Sequence, residues 1–159
     1  MYAPRLGQTM FVALVLGCAA CILPNGAASQ TCSGSGLFNM DANPPTLSYG
    51  SVSIADLENG QILMGSVNVE ILPLSLLNNA WELCIRGEQP QFGPGGKPIE
   101  DVEWQLAGAG GWQMASTGEQ LVTTGNGLTT VEVLFRIEVG YGDPPGSYEA
   151  LLAFIAAQP

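Results

Sequence analysis

The chain has 159 residues, with 14 acidic side chains against four basic ones and no histidine, for a formal net charge of −10. That balance excludes nucleic acid as a partner, because phosphate binding needs clustered Lys and Arg. The missing imidazole excludes Ser-His-Asp and Cys-His catalysis, and no cofactor is implied.

Residues 1–28 have the layout of a secretory signal peptide. Arg5 supplies the positive end, Met10 to Leu23 an apolar run, and Pro24 to Ser29 a small-residue exit suited to cleavage. The run is shorter than the roughly 20 apolar residues a spanning helix needs. A second reading takes Val15-Leu16-Gly17-Cys18 as lipobox-like, with Cys18 the lipidated residue of a lipoprotein. Cleavage leaves about 130 residues, enough for one domain with a real core. It also leaves Arg86, Lys97 and Arg136 against the 14 acids, a net −11. Such a charge reads as a solvated acidic exterior rather than a cation site.

Of the four cysteines, Cys18 and Cys21 depart with the signal. Cys32 and Cys84 then form an even pair in an oxidising compartment, which predicts a disulfide; two unrelated thiols are the alternative. Two cysteines without histidine cannot supply four zinc ligands, so no metal site is expected.

Residues 29–45 are rich in Ser, Gly, Asn and Pro and read as a flexible or tethered N-terminal segment, with order beginning near Thr46 and the folded domain spanning 46–159. Gly50 to Ile54 and Ile62 to Ile71 are strand-like, divided by a turn at Glu58-Asn59-Gly60. Asp56 to Gly60 also has the look of a calcium loop, but five residues cannot furnish the six to eight oxygens calcium takes.

Trp81 to Arg86 is the next predicted strand, with Trp81, Leu83 and Ile85 on one face and Glu82, Cys84 and Arg86 on the other. The disulfide would therefore pin the N-terminal segment across the outside of a sheet. Gly87 to Pro98 reads as a long loop. Ile99 to Leu106 follows, its Val102, Trp104 and Leu106 alternating with Asp101, Glu103 and Gln105. Glu100, Asp101 and Glu103 form the densest acidic cluster and read as solvated residues rather than a glycosidase pair. Short strands are expected at Trp112 to Met114 and Gln120 to Thr123.

Val131 to Val139 is the clearest element, with Val131, Val133, Phe135, Ile137 and Val139 facing a core and Glu132, Arg136 and Glu138 facing solvent. The turn Gly140 to Gly146 leads to Tyr148 to Ala156, apolar on both faces and so expected to be a central strand. Short strands with turn residues every 8 to 12 positions predict an all-β fold, an antiparallel β-sandwich of Ig-like or Greek-key type with about seven to nine strands. Trp104, Trp112 and Tyr141, if exposed together, would form an aromatic platform for sugar rings; burial of the tryptophans in the core is the competing reading.

Leu47-Ser48-Tyr49-Gly50, Trp81-Glu82-Leu83, Gly96 to Ile99 leading to Trp104-Gln105-Leu106, and Pro144 to Tyr148 together resemble bacterial surface β-sandwich proteins. WxL-type cell-wall-associated domains are the nearest in pattern, fimbrial subunits more loosely. Trp81-Glu82-Leu83 matches the first Trp-x-Leu motif of the former. Phe154-Ile155-Ala156 stands where the second is expected, and Trp104-Gln105-Leu106 lies outside the pattern. The resemblance implies a secreted or cell-surface, non-catalytic structural or interaction protein. Its expected partners are other surface or envelope components or copies of itself. A small carbohydrate-binding module, with polysaccharide as ligand, is the alternative function.

Overall fold

The computed structural model describes Cys32, residues 38–74 and residues 79–159. Residues 1–28, expected to be a signal peptide, and the lipobox-like Cys18 within them lie outside the described residues. The described chain is an all-β sandwich in which every strand ladder is antiparallel. It has twelve strands, of which three are only two residues long, so nine are substantial.

In chain order the strands are β1 (Phe38–Asn43), β2 (Leu47–Val52), β3 (Gln61–Pro73), β4 (Ala80–Gly87), β5 (Gln91–Phe92), β6 (Lys97–Pro98), β7 (Val102–Leu106), β8 (Gln113–Met114), β9 (Gln120–Asn126), β10 (Thr129–Val139), β11 (Gly146–Ala150) and β12 (Leu152–Ala157). One sheet runs β1-β3-β10-β7-β8 and another β12-β4-β9, while β11 pairs β2 and β5 pairs β6.

The longest ladder joins β3 to β10 over eleven residue pairs, from Thr129 opposite Ile71 to Val139 opposite Gln61. Alternation puts Val67, Val69, Ile71, Val131, Val133, Phe135, Ile137 and Val139 into the core, as the period-2 pattern predicts. The second sheet contributes Trp81, Leu83 and Ile85, all buried. The two layers meet where Phe135 packs edge-on against Phe154, ring centroids 6.4 Å apart.

Trp81 is held by more than burial. Its Nε1 donates to the Gly127 carbonyl at 2.9 Å. Across the ladder it faces Gly125, where a Cβ would collide with the indole Cζ2. The ring therefore occupies the space a side chain at 125 would need. Gly125→Val is expected to destabilise by about 1–3 kcal/mol or more, read as a lowered denaturant midpoint. An unchanged midpoint would mean that the indole repacks without cost.

The disulfide joins Cys32 to Cys84, with a Cα–Cα distance of 6.1 Å and a sequence separation of 52. Cys84 keeps its place on the outer face with Glu82 and Arg86, yet it is fully buried. A bulge opposite it, where Val122 is extra between Leu121 and Thr123, bends β9 locally.

Four expectations differ from the structure. A strand already lies at Phe38–Asn43, ahead of Thr46, because Phe38, Met40 and Ala42 pack on the core while β1 pairs with β3. Residues Ile54–Asn59 form helix α1, where a strand end and a turn were expected. Ser53 caps it: its hydroxyl accepts from the Asp56 N–H, and the Asp56 carboxylate accepts from the Ser53 N–H at 2.8 Å. The Ser53 hydroxyl and N–H, with Gln61, hold the Asp56 carboxyl below its ordinary value. Gly60 ends the helix at φ +65°, a conformation that suits glycine.

The loop expected over Gly87 to Pro98 contains the small β5–β6 pair. Finally, Tyr148 to Ala156 is not one central strand. It breaks at Leu151, which is 45% exposed, and passes from pairing with β2 to pairing with β4, so β12 is an edge. Tyr148 and Ala150 face the core from the first half, and Phe154 and Ala156 pack on it from the second. Ile155 stands opposite Cys84. The apolar residues on both faces thus record a change of sheet.

Candidate functional site

The aromatic platform expected from Trp104, Trp112 and Tyr141 does not form. Trp104 lies on β7 with its side chain in the core, 1% exposed, because its face of the strand is shared with buried Val102. Trp112, half-buried, takes the Arg136 guanidinium over its ring at 4.4 Å from the centroid. Tyr141 is 95% exposed, in the turn after β10.

Tyr141 instead borders a cleft of about 560 Å³ on the outer side of the five-stranded sheet. Lys97, Glu100, Asp101, Glu103, Met114, Arg136, Glu138 and Asp143 line it with Tyr141. The ladder explains the assembly. Arg136 on β10 stands opposite Glu103 on β7 and Met64 on β3, and Glu103 stands opposite Met114 on β8. Glu138 stands opposite Ile62. Directly opposed residues share a face, so these side chains form two adjoining rows.

Both cations in the cleft are held by carboxylates. The Arg136 Nε donates to the Glu103 carboxylate. Lys97 donates to Asp143 Oδ1 at 2.9 Å and Oδ2 at 3.2 Å, and reaches Asp101 at 3.2 Å. Asp143 also accepts from the Gly140 N–H at 2.9 Å, which ties the turn after β10 to the one-turn 3-10 helix Ile99–Asp101 through Lys97.

Burial pushes the Asp143 carboxyl up, but the Lys97 and Gly140 hydrogen bonds and the Lys97 charge together outweigh it, so it lies below 3.8. Burial likewise pulls Lys97 down, and the bonds and charges of Asp143 and Asp101 carry it above 10.5. Tyr148, whose hydroxyl donates to the Pro144 carbonyl at 2.7 Å, is raised by burial and by Asp143.

A lowered carboxyl contributes stability that is present above its unfolded value and lost as pH falls through the folded one. A raised Lys or Tyr contributes stability present below its unfolded value and lost as pH rises. The melting temperature should therefore be flat between about pH 5 and 9 and fall on both sides. Asp143→Asn should lower the plateau and shallow both limbs. Melts of the two proteins across pH that show identical limbs would place the titration elsewhere.

The acids Glu100, Asp101 and Glu103 were visible in the sequence as a cluster, while Lys97, Glu138 and Asp143 were not connected to it. Only the i,i+4 spacing of Lys97 and Asp101 carried a local signal. Among the described residues no group of three or more Cys, Asp or Glu is placed to hold a metal. The Asp56 to Gly60 stretch is helix α1 and its cap rather than a calcium loop. Nor, among the described residues, is any helix long and apolar enough to cross a membrane. No protein-family model, no curated protein and no solved structure matches the chain.

Proposed function

We propose that the chain is an exported, non-catalytic structural or interaction protein of a bacterial surface or extracellular space. The observation that carries this reading is the Cys32–Cys84 disulfide, built into a sandwich whose other stabilising features are those of a small single domain. Such bonds form and persist in oxidising compartments. The signal-like composition of residues 1–28 and the resemblance to WxL-type and fimbrial surface proteins point the same way. A carbohydrate-binding module would need at least two aromatic faces free and coplanar, whereas Trp104 is buried and Trp112 is stacked on Arg136.

Cell fractionation with intact-mass measurement tests the reading. The expected product lies outside the cytoplasm, lacks residues 1–28 or carries lipid at Cys18, and has no free thiol at Cys32 or Cys84. A full-length cytoplasmic protein with reactive thiols at both positions would refute it.

A further inference from the structure

The outer face of the five-stranded sheet combines exposed apolar side chains with uncompensated negative charge. Ile62, Met64 and Met114 are each more than half exposed, beside Glu138, Arg136 and Glu103 respectively, and Tyr141 stands at the cleft with its ring free. The cleft holds five carboxylates and two cations. Both cations are already paired, while Glu100 and Glu138 have no cation within ion-pair distance among the described residues.

We propose that this face docks an extended segment of another protein in which Lys or Arg alternates with apolar residues. It deepens the extracellular-interaction reading, on which it rests, by assigning the surface and the chemistry of the partner. Charge complementarity selects the occupant. Ammonium or guanidinium groups entering the cleft meet the carboxylates of Glu100 and Glu138 that line it, and the Tyr141 face attracts cations through its quadrupole. Ile62, Met64 and Met114 cover the intervening apolar side chains, the thioethers adapting to their shape.

A second copy of the chain fits poorly, because Arg86, Lys97 and Arg136 each already sit in an ion pair. A neutral glycan would want a second free aromatic face, whereas Trp104 is buried and Trp112 has one face covered by Arg136.

Fluorescence anisotropy with a labelled, alternating Lys-Leu octapeptide tests the proposal on the oxidised, full chain. Saturable binding that weakens with added salt is expected. Glu100→Gln with Glu138→Gln should weaken it about tenfold or more, and Tyr141→Ala by a comparable factor. Glu70→Gln with Glu132→Gln, on the same sheet face away from the cleft, should change it less than about twofold. All of these positions are on the surface, and a melt of each variant checks that it is folded.

Four results would overturn the proposal: no binding, equal loss from the Glu70 and Glu132 pair, equal affinity for a Glu-Leu octapeptide, or binding of cellohexaose at the cleft with none of the basic peptide. A dimer in light scattering that Tyr141→Ala dissolves would assign the face to a second copy and overturn it as well. None of these outcomes bears on fractionation or on the thiol count, so failure here is distinguishable from failure of the extracellular reading.

Discussion

Phe135→Ala and Trp81→Ala should each cost about 3–5 kcal/mol, enough to leave a domain of this size largely unfolded. Phe135 is fully buried at the centre of β10, opposite Trp104 on one neighbour and Gly65 on the other, and it meets Phe154 across the sandwich. Truncation would leave a cavity walled by rigid strands on the β10 side, with little freedom to collapse. Trp81 adds the loss of its hydrogen bond to Gly127 and an empty space over Gly125. Glu132→Ala, on the exposed face of the same β10, should change stability by less than about 0.5 kcal/mol. Urea titration of the three variants provides the comparison. A silent Phe135→Ala would contradict the β3–β10–β7 register, in which every second residue of β10 is buried.

Reducing the Cys32–Cys84 bond should lower stability by about 4 kcal/mol. The loop spans a sequence separation of 52, and the chain-entropy relation assigns roughly that amount to freeing it in the unfolded state. The cost is a large share of what holds a small domain folded. Cys32→Ala with Cys84→Ala should reproduce the loss, and because Cys84 is buried the substitution adds a packing term to the entropic one. Paired melts with and without reductant measure the effect directly. Coincident melts, with thiol labelling that confirms reduction, would show that the native structure gains nothing from the cross-link.

Much of the sandwich was legible because strands with one buried face advertise it. Val131 to Val139 alternates with Leu134 as its one apolar residue on the outer face, and Trp81, Leu83 and Ile85 share one face on the facing sheet. Strand β1 carried the same signal in Phe38, Met40 and Ala42, with Asn39, Asp41 and Asn43 between them, but Ser, Gly and Pro on either side obscured so short a run. Helix α1 has too few residues to show helical periodicity, and its legible mark is the cap, Ser53 followed three residues later by Asp56. The sheet switch at Leu151 left no mark at all, since a strand that changes neighbours and a strand buried on both faces have the same apolar content.

The cleft was the least legible feature. Glu100, Asp101 and Glu103 adjoin in sequence, but Lys97 meets Asp143 across 46 residues and Arg136 meets Glu103 across 33. Nothing local encodes which strands become neighbours. Tyr141 drew notice as an aromatic, and the structure places it beside carboxylates rather than beside a second free ring.

The attachment of Cys32 to β4 has a mechanical consequence. Tension applied between a residue ahead of Cys32 and the C-terminal Pro159 enters through the two sulfur atoms into the middle strand of the β12-β4-β9 sheet and leaves along β12, which pairs directly with β4. Strands β1, β3, β10 and β7 then lie outside the load path and keep their ladders while the β4–β12 pair bears the pull. With the sulfurs reduced, the same tension also reaches the β1–β3 ladder, through Phe38–Asn43, besides the β4–β12 pair. The oxidation state therefore decides whether the first sheet shares the load, and with it the rate at which the domain gives way when pulled.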